Sequence, residues 1–148
     1  MDEALKAKIL DVLRTQHLMT LATLRADGYP QATTVNYIND GFTLYFATDA
    51  ASQKVGNIKL NSKVAVAIAN ETHDFYKLSG LSLSGDARRL LDPARADDVA
   101  TQLFYRLPQS KRFVPPDRKQ LAVFEIAPVA MSLVDYASGF GTSYLLEL

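Results

Sequence analysis

The chain has 148 residues, 48% of them hydrophobic and 22% charged, and its sixteen basic residues balance sixteen acidic ones. Those figures describe one soluble globular domain large enough for its own core, and a net charge of zero argues against a protein that tracks nucleic acid through phosphate contacts. Cysteine is absent, which excludes disulfides, thiolate nucleophiles and cysteine-ligated metals.

No apolar run reaches membrane-spanning length, and the opening Met1-Asp2-Glu3-Ala4-Leu5-Lys6 lacks the basic-then-apolar order of a signal peptide. The expected location is therefore the cytoplasm, with no membrane partner. Asp2 or Glu3 opens a first helix, in which Leu5, Ile9, Val12 and Leu13 form one apolar stripe. Leu18 to Leu24 then reads as a strand, and Asp27-Gly28 as a turn that accepts positive φ. Gln31 to Ile38 and Phe42 to Ala47 are two further strands joined by an Asn39-Asp40-Gly41 hairpin. A short helix is expected from Ser52 to Leu60, stopped near Asn61.

Val64 to Ile68 alternates large residues with alanines. Small residues on one strand face leave room for another layer or a flat ligand, or relieve crowding beneath a helix, and both readings stand open. Leu78 to Leu90 reads as a long, bulged strand around Gly85. Asp92-Pro93 is a helix start, an acidic cap followed by proline at the first helical position. Val99, Ala100, Leu103, Phe104 and Leu107 give that helix its buried stripe, and Pro108 ends it. A basic loop follows, carrying Lys111, Arg112, Arg118 and Lys119 and able to steer an anion. Leu121 to Ile126 and Val129 to Tyr136 read as two last strands separated by Pro128, before a glycine-loosened tail. Six or seven mostly antiparallel strands with two or three helices predict a mainly β domain, a small barrel with helical additions spanning residues 1–148.

The chemistry concentrates in Thr48-Asp49-Ala50-Ala51-Ser52-Gln53-Lys54, where a strand ends in hydroxyls and a lysine at the opening of a helix. Unpaired N–H groups and the macrodipole favour an anion there, although Thr, Asp and Ser are equally ordinary helix caps. The two histidines, His17 and His73, have no ligand-like spacing to carboxylates, and Glu71 and Asp74 near His73 fit no metal pattern, so no metal site is predicted. No Gly-x-Ser-x-Gly elbow occurs, and no general acid or base is legible. The paired aspartates Asp97 and Asp98, and Asp86 with Asp92, read as solvated positions and caps.

Taken in order, Leu21-Ala22-Thr23, Asp27-Gly28-Tyr29-Pro30-Gln31, Leu44-Tyr45-Phe46-Ala47-Thr48, Ser52-Gln53-Lys54 and Asn61-Ser62-Lys63-Val64-Ala65 resemble the flavin-binding split-barrel family related to pyridoxamine 5′-phosphate oxidase. The resemblance runs from about Ala4 to Ile126 and is closest to the short, uncharacterised members of that family. It implies a split β-barrel, a homodimer, and FMN held in a cleft between two barrels. It places the flavin phosphate at Thr48, Ser52, Gln53 and Lys54, with Thr33, Thr34, Val35 and Asn36 along the ring. Gln53 and Thr33 stand where the pyridoxamine oxidases carry arginine, and the tail lacks their tryptophan and Arg-x-His-x-Arg pattern. Pyridoxamine 5′-phosphate oxidase activity is therefore not predicted. The implied function is an FMN-dependent oxidoreductase acting on a small molecule. The alternatives are a non-catalytic flavin or haem protein, with His73 as the haem ligand, and a reductase using a deazaflavin (F420). Tyr136, Phe140 or Tyr144 would then cover a ring held by the second subunit, or else cap a core edge.

Overall fold

In the computed structural model the described residues are 3–109, 117–139 and 142–148. The first helix, α1 (Glu3–Thr15), buries the expected stripe of Leu5, Ile9, Val12 and Leu13. The strands β1 (Leu18–Leu24), β2 (Pro30–Asn36), β3 (Ile38–Asp40) and β4 (Thr43–Asp49) precede the helix α2 (Gln53–Leu60). Next come β5 (Lys63–Ala69), β6 (Ser79–Arg89), the helix α3 (Pro93–Arg106), and the strands β7 (Leu121–Asp135) and β8 (Ser143–Glu147). Asp92 caps α3 as its sequence predicts, accepting the Ala94 N–H, with Pro93 in the first turn.

All eight strands form one antiparallel sheet in the order β2-β1-β5-β6-β7-β4-β3, with β8 on the far half of β7. Only Tyr37 separates β2 from β3. The two ends of the sheet are thus two halves of one kinked stretch, β2 pairing with β1 and β3 with β4. This is the split barrel: the sheet curls back on itself, and β2 keeps an edge that no ladder of the described residues covers.

Strand alternation sends the large residues inward. Leu21, Phe46, Ile68, Leu83, Ile126 and Met131 are all at most 2% exposed. The Phe46 and Phe124 rings stack at 5.1 Å across the β4–β7 pair, a contact worth about 0.5–1.5 kcal/mol beyond the burial itself. A second, smaller cluster lies outside the barrel, where Val99, Ala100, Leu103 and Phe104 of α3 cover Ile38, Tyr45 and Val123. Arg106, in the last turn of α3, donates to the Arg14 and Gln16 carbonyls at 2.7 and 2.6 Å, satisfying acceptors left open where α1 ends. Its guanidinium sits 5.7 Å from the centre of the Tyr37 ring, and the Tyr37 hydroxyl donates to the Leu13 carbonyl at 2.8 Å. The kink that closes the barrel is therefore pinned to both α1 and α3.

Three local expectations change. Pro128 does not divide two strands. β7 runs through it, because the register with β6 shifts between Ser84 and Gly85 so that Ser84 faces Ala130 and Gly85 faces Pro128. A proline that cannot donate to a ladder is tolerated at such an irregularity. The tail is not loose throughout, since Ser143–Glu147 pairs with β7 and buries Leu146. The second strand stops at Asn36, as the kink at Tyr37 hands the chain from one partner strand to another.

The alanines of β5 are resolved as well. Ala65, Ala67 and Ala69 are exposed while Val64, Val66 and Ile68 are buried, and no described helix lies over them. They belong to an outward sheet face of small residues. One row runs Thr34, Thr20, Ala67, Ser82, Ser132, and the next Ala32, Ala22, Ala65, Ser84, Ala130. Charge appears only at the margin of these rows, in Lys63, Asp86 and Glu147.

Candidate functional site

Thr48 shares the inward side of β4 with Leu44 and Phe46, at the strand's end, where it is half-buried. The chain then turns sharply. The Asp49 carboxylate accepts the Ala51 N–H at 2.8 Å and the Ser52 N–H donates to the Asp49 carbonyl at 3.0 Å, so α2 starts immediately. Ser52 is the N-cap residue of α2, in an extended conformation, yet its side chain makes no capping bond. Its Oγ instead lies 3.3 Å from Thr48 Oγ1, and Lys54 Nζ donates to that same Thr48 Oγ1 at 3.4 Å. Two hydroxyls and an ammonium group thus converge beside an α-helix N-terminus that has no acidic residue in its first turn. Lys54 forms no ion pair with any described residue. Such a cluster is chemically suited to an oxyanion, which accepts from all three side chains and from the free helix N–H groups.

Gln53 is exposed at the first position of α2, and its side chain makes no hydrogen bond among the described residues. The structure therefore brings Thr48, Ser52 and Lys54 together and leaves Gln53 outside that group.

The stretch Thr33 to Asn36 lies on β2, and strand alternation divides it. Thr33 and Val35 sit opposite Leu21 and Met19 and face inward, while Thr34 and Asn36 sit opposite Thr20 and Leu18 and face outward. Four consecutive side chains cannot line one ligand from a strand. What the stretch holds in common is its backbone, half of whose N–H and C=O groups point away from β1 along the uncovered edge.

One structural feature of the site was missed in the sequence. Asn57 of α2 is 3% exposed, and its Nδ2 donates to Thr23 Oγ1 of β1 at 3.0 Å and to Gln31 Oε1 of β2 at 3.2 Å. This polar tie fixes α2 against β1 and β2, and with it the position of Lys54 relative to the open edge. Its only sequence signal is an asparagine beside Ile58, the buried apolar position of a short helix.

The remaining candidates separate from this cluster. His17 and His73 are exposed, and Asp74 accepts the Tyr76 N–H as a cap. Tyr136 packs edge-on against Phe75 at 6.3 Å, and Tyr144 lies on β8 opposite Leu133. Lys111, Arg112 and Phe140, and the side chain of Arg118, lie outside the described residues. Among the described residues no three His, Asp or Glu side chains group as metal ligands, and no helix is long and apolar enough to cross a membrane.

Comparison with known proteins sets this geometry in context. No curated protein matches the chain. Among solved structures, the conserved hypothetical protein Rv2991 from Mycobacterium tuberculosis is 26% identical with a TM-score of 0.75, over 92% of this chain and 86% of that one. A haem-binding protein from Mycobacterium smegmatis shares the fold at 17% identity and a TM-score of 0.78, over 99% of this chain but only 58% of its own length. A FAD-binding protein from Mesorhizobium loti shares it at 17% identity and a TM-score of 0.70, over 90% of this chain and 94% of that one. Residues 5–135 match the family model described as pyridoxamine 5′-phosphate oxidase. With the curled sheet and its uncovered β2 edge, that match means the chain belongs to the pyridoxamine 5′-phosphate oxidase family.

Proposed function

We propose that the protein binds a flavin, FMN, and serves as an oxidoreductase for a small organic substrate. The observation that carries this reading is the convergence of Thr48, Ser52 and Lys54 on one point beside a helix N-terminus, with the lysine in no ion pair among the described residues. In this reading those three side chains hold the phosphate, and the open backbone edge of Thr33 to Asn36 lies along the ring. Gln53 contributes less than the arginine its position carries in the pyridoxamine oxidases. The flavin, when bound, supplies the redox chemistry, and the protein orients it and excludes water. A second copy of the chain completes the site. The outward face of Ala, Ser and Thr rows is built of small side chains and is uncharged except at its margin, which suits close approach of a second copy.

The absorption spectrum of the purified protein, followed by flavin titration of wild type and Lys54→Ala, tests the proposal. Flavin absorption in the purified protein and weaker binding by the variant, by roughly 1–3 kcal/mol for one charge-assisted contact, are the expected results. Equal binding by the variant removes Lys54 from the site and ends the phosphate assignment. A Soret band would instead favour a haem protein, and a colourless protein that binds deazaflavin would favour a reductase using that cosubstrate.

A further inference from the structure

A cleft of about 450 Å³ opens between α2 and the ends of β6 and β7, on a different side of α2 from Asn57. Its floor is apolar, formed by Val55, Ile58, Ala87 and Phe124. Its rim carries Lys59, Arg88 and Arg89, and no carboxylate lines it. Arg88 turns to the other face of β6 and pairs with Glu125 at 2.8 Å, whereas the side chains of Lys59 and Arg89 make no ion pair or hydrogen bond among the described residues. Leu91 completes the rim and is 83% exposed. It directly precedes the α3 cap, where an apolar side chain commonly folds onto the fourth helical residue. Here Leu90 takes the inward place, packing against the α3 cluster as Ala96 does, and Leu91 is left in water.

A neighbouring depression shows what this cleft lacks. It shares Arg88, Arg89 and Leu91 but is also lined by Asp92 and Glu125, the latter paired with Arg88. The α2 cleft combines an apolar floor, an exposed leucine and two cations that form no ion pair with a described residue, Lys59 being the one not shared with that depression, at a volume within the usual range for small-molecule sites. These features complement one ligand chemistry, a carboxylate on an apolar body. The body covers the exposed Leu91 and the half-buried Val55 above the core residues Ile58 and Phe124, and the carboxylate takes the charge of Lys59 and Arg89.

We infer that this cleft is a second binding site, for an amphiphilic carboxylate, separate from the Thr48–Ser52–Lys54 cluster and independent of whether that cluster holds a flavin. The test is a titration of the full chain with 2-naphthoate and with decanoate, followed by amide chemical shifts. Its controls are the neutral 2-naphthamide and the doubly substituted variant Lys59→Gln, Arg89→Gln, whose exposed positions leave the core untouched. Expected are saturable shifts confined to residues 55–59, 87–91 and 124. Affinity should fall about ten-fold or more, both for the amide and in the variant. Absence of saturation, shifts centred on Thr48 and Lys54, or equal affinity in the variant would each overturn the assignment.

Discussion

Replacing Asn57 by alanine isolates the tie that positions the candidate site. The substitution removes the amide donor shared by Thr23 Oγ1 at 3.0 Å and Gln31 Oε1 at 3.2 Å. Thr23 is 3% exposed, so no water replaces its lost donor, and a buried group left without a partner costs about 1–3 kcal/mol. Gln31 is half-buried and recovers most of its bond from water. The better helix propensity of alanine returns about 0.5 kcal/mol. The net loss is about 1.5 kcal/mol, which at a urea slope of roughly 2 kcal/mol/M lowers the unfolding midpoint by about 0.7 M. A double-mutant cycle with Thr23→Val should give a coupling energy of about 1 kcal/mol or more, because the two side chains touch. An Asn57→Ala protein within about 0.5 kcal/mol of wild type, or a coupling near zero, would show that α2 is not held by this asparagine.

A methyl group at Gly85 would stand 2.7 Å from the Ala127 carbonyl oxygen and 2.9 Å from Ile126 Cγ2. Gly85→Ala should therefore cost about 3 kcal/mol by overpacking in a thermal or urea melt. Gly80→Ala on the same strand meets nothing within 4 Å and should change stability by less than about 0.5 kcal/mol. Burial pushes the Tyr37 hydroxyl up to about 12, against the opposing effect of Arg106. The folded state thus holds this proton more tightly than the unfolded chain. The stability it confers is complete below pH 10 and is lost as pH rises from 10 through about 12. Urea midpoints between pH 9 and 11.5 should accordingly fall more steeply for wild type than for Tyr37→Phe, and parallel curves would contradict the assignment.

Much of this architecture was legible because its signals are local. The α1 stripe, the Asp92-Pro93 start of α3 and the alternation of β5 each follow from the spacing of apolar residues or from a cap. The misread segments depend on partners distant in sequence. Whether Pro128 ends a strand is decided by the register of Gly85 on β6, some forty positions earlier, and β8 exists only because β7 extends beyond β4 to receive it. The same division holds at the candidate site. Lys54, Ser52 and Thr48 lie within one turn-and-helix segment and were found together, whereas Asn57 acts through Thr23 and Gln31, and nothing in its own neighbourhood announces them.

The anchoring bears on how such a cluster binds. A phosphate monoester brings a charge of about −1.5 to −2 near neutral pH, and the cluster answers with one lysine, two hydroxyls and a helix end. Charge alone leaves that anion undercompensated. Order supplies part of the difference. The hydroxyl pair and the lysine are already directed at one another, the Asp49 turn fixes where the helix begins, and Asn57 locks the helix onto the strands that carry the open edge. Side chains held in place before a ligand arrives lose little freedom when it binds. Under the proposed phosphate reading, affinity at this site therefore depends on the rigidity of the β4–α2 junction as well as on Lys54. Loosening the junction through Asn57 should weaken anion binding even though Asn57 never touches the anion.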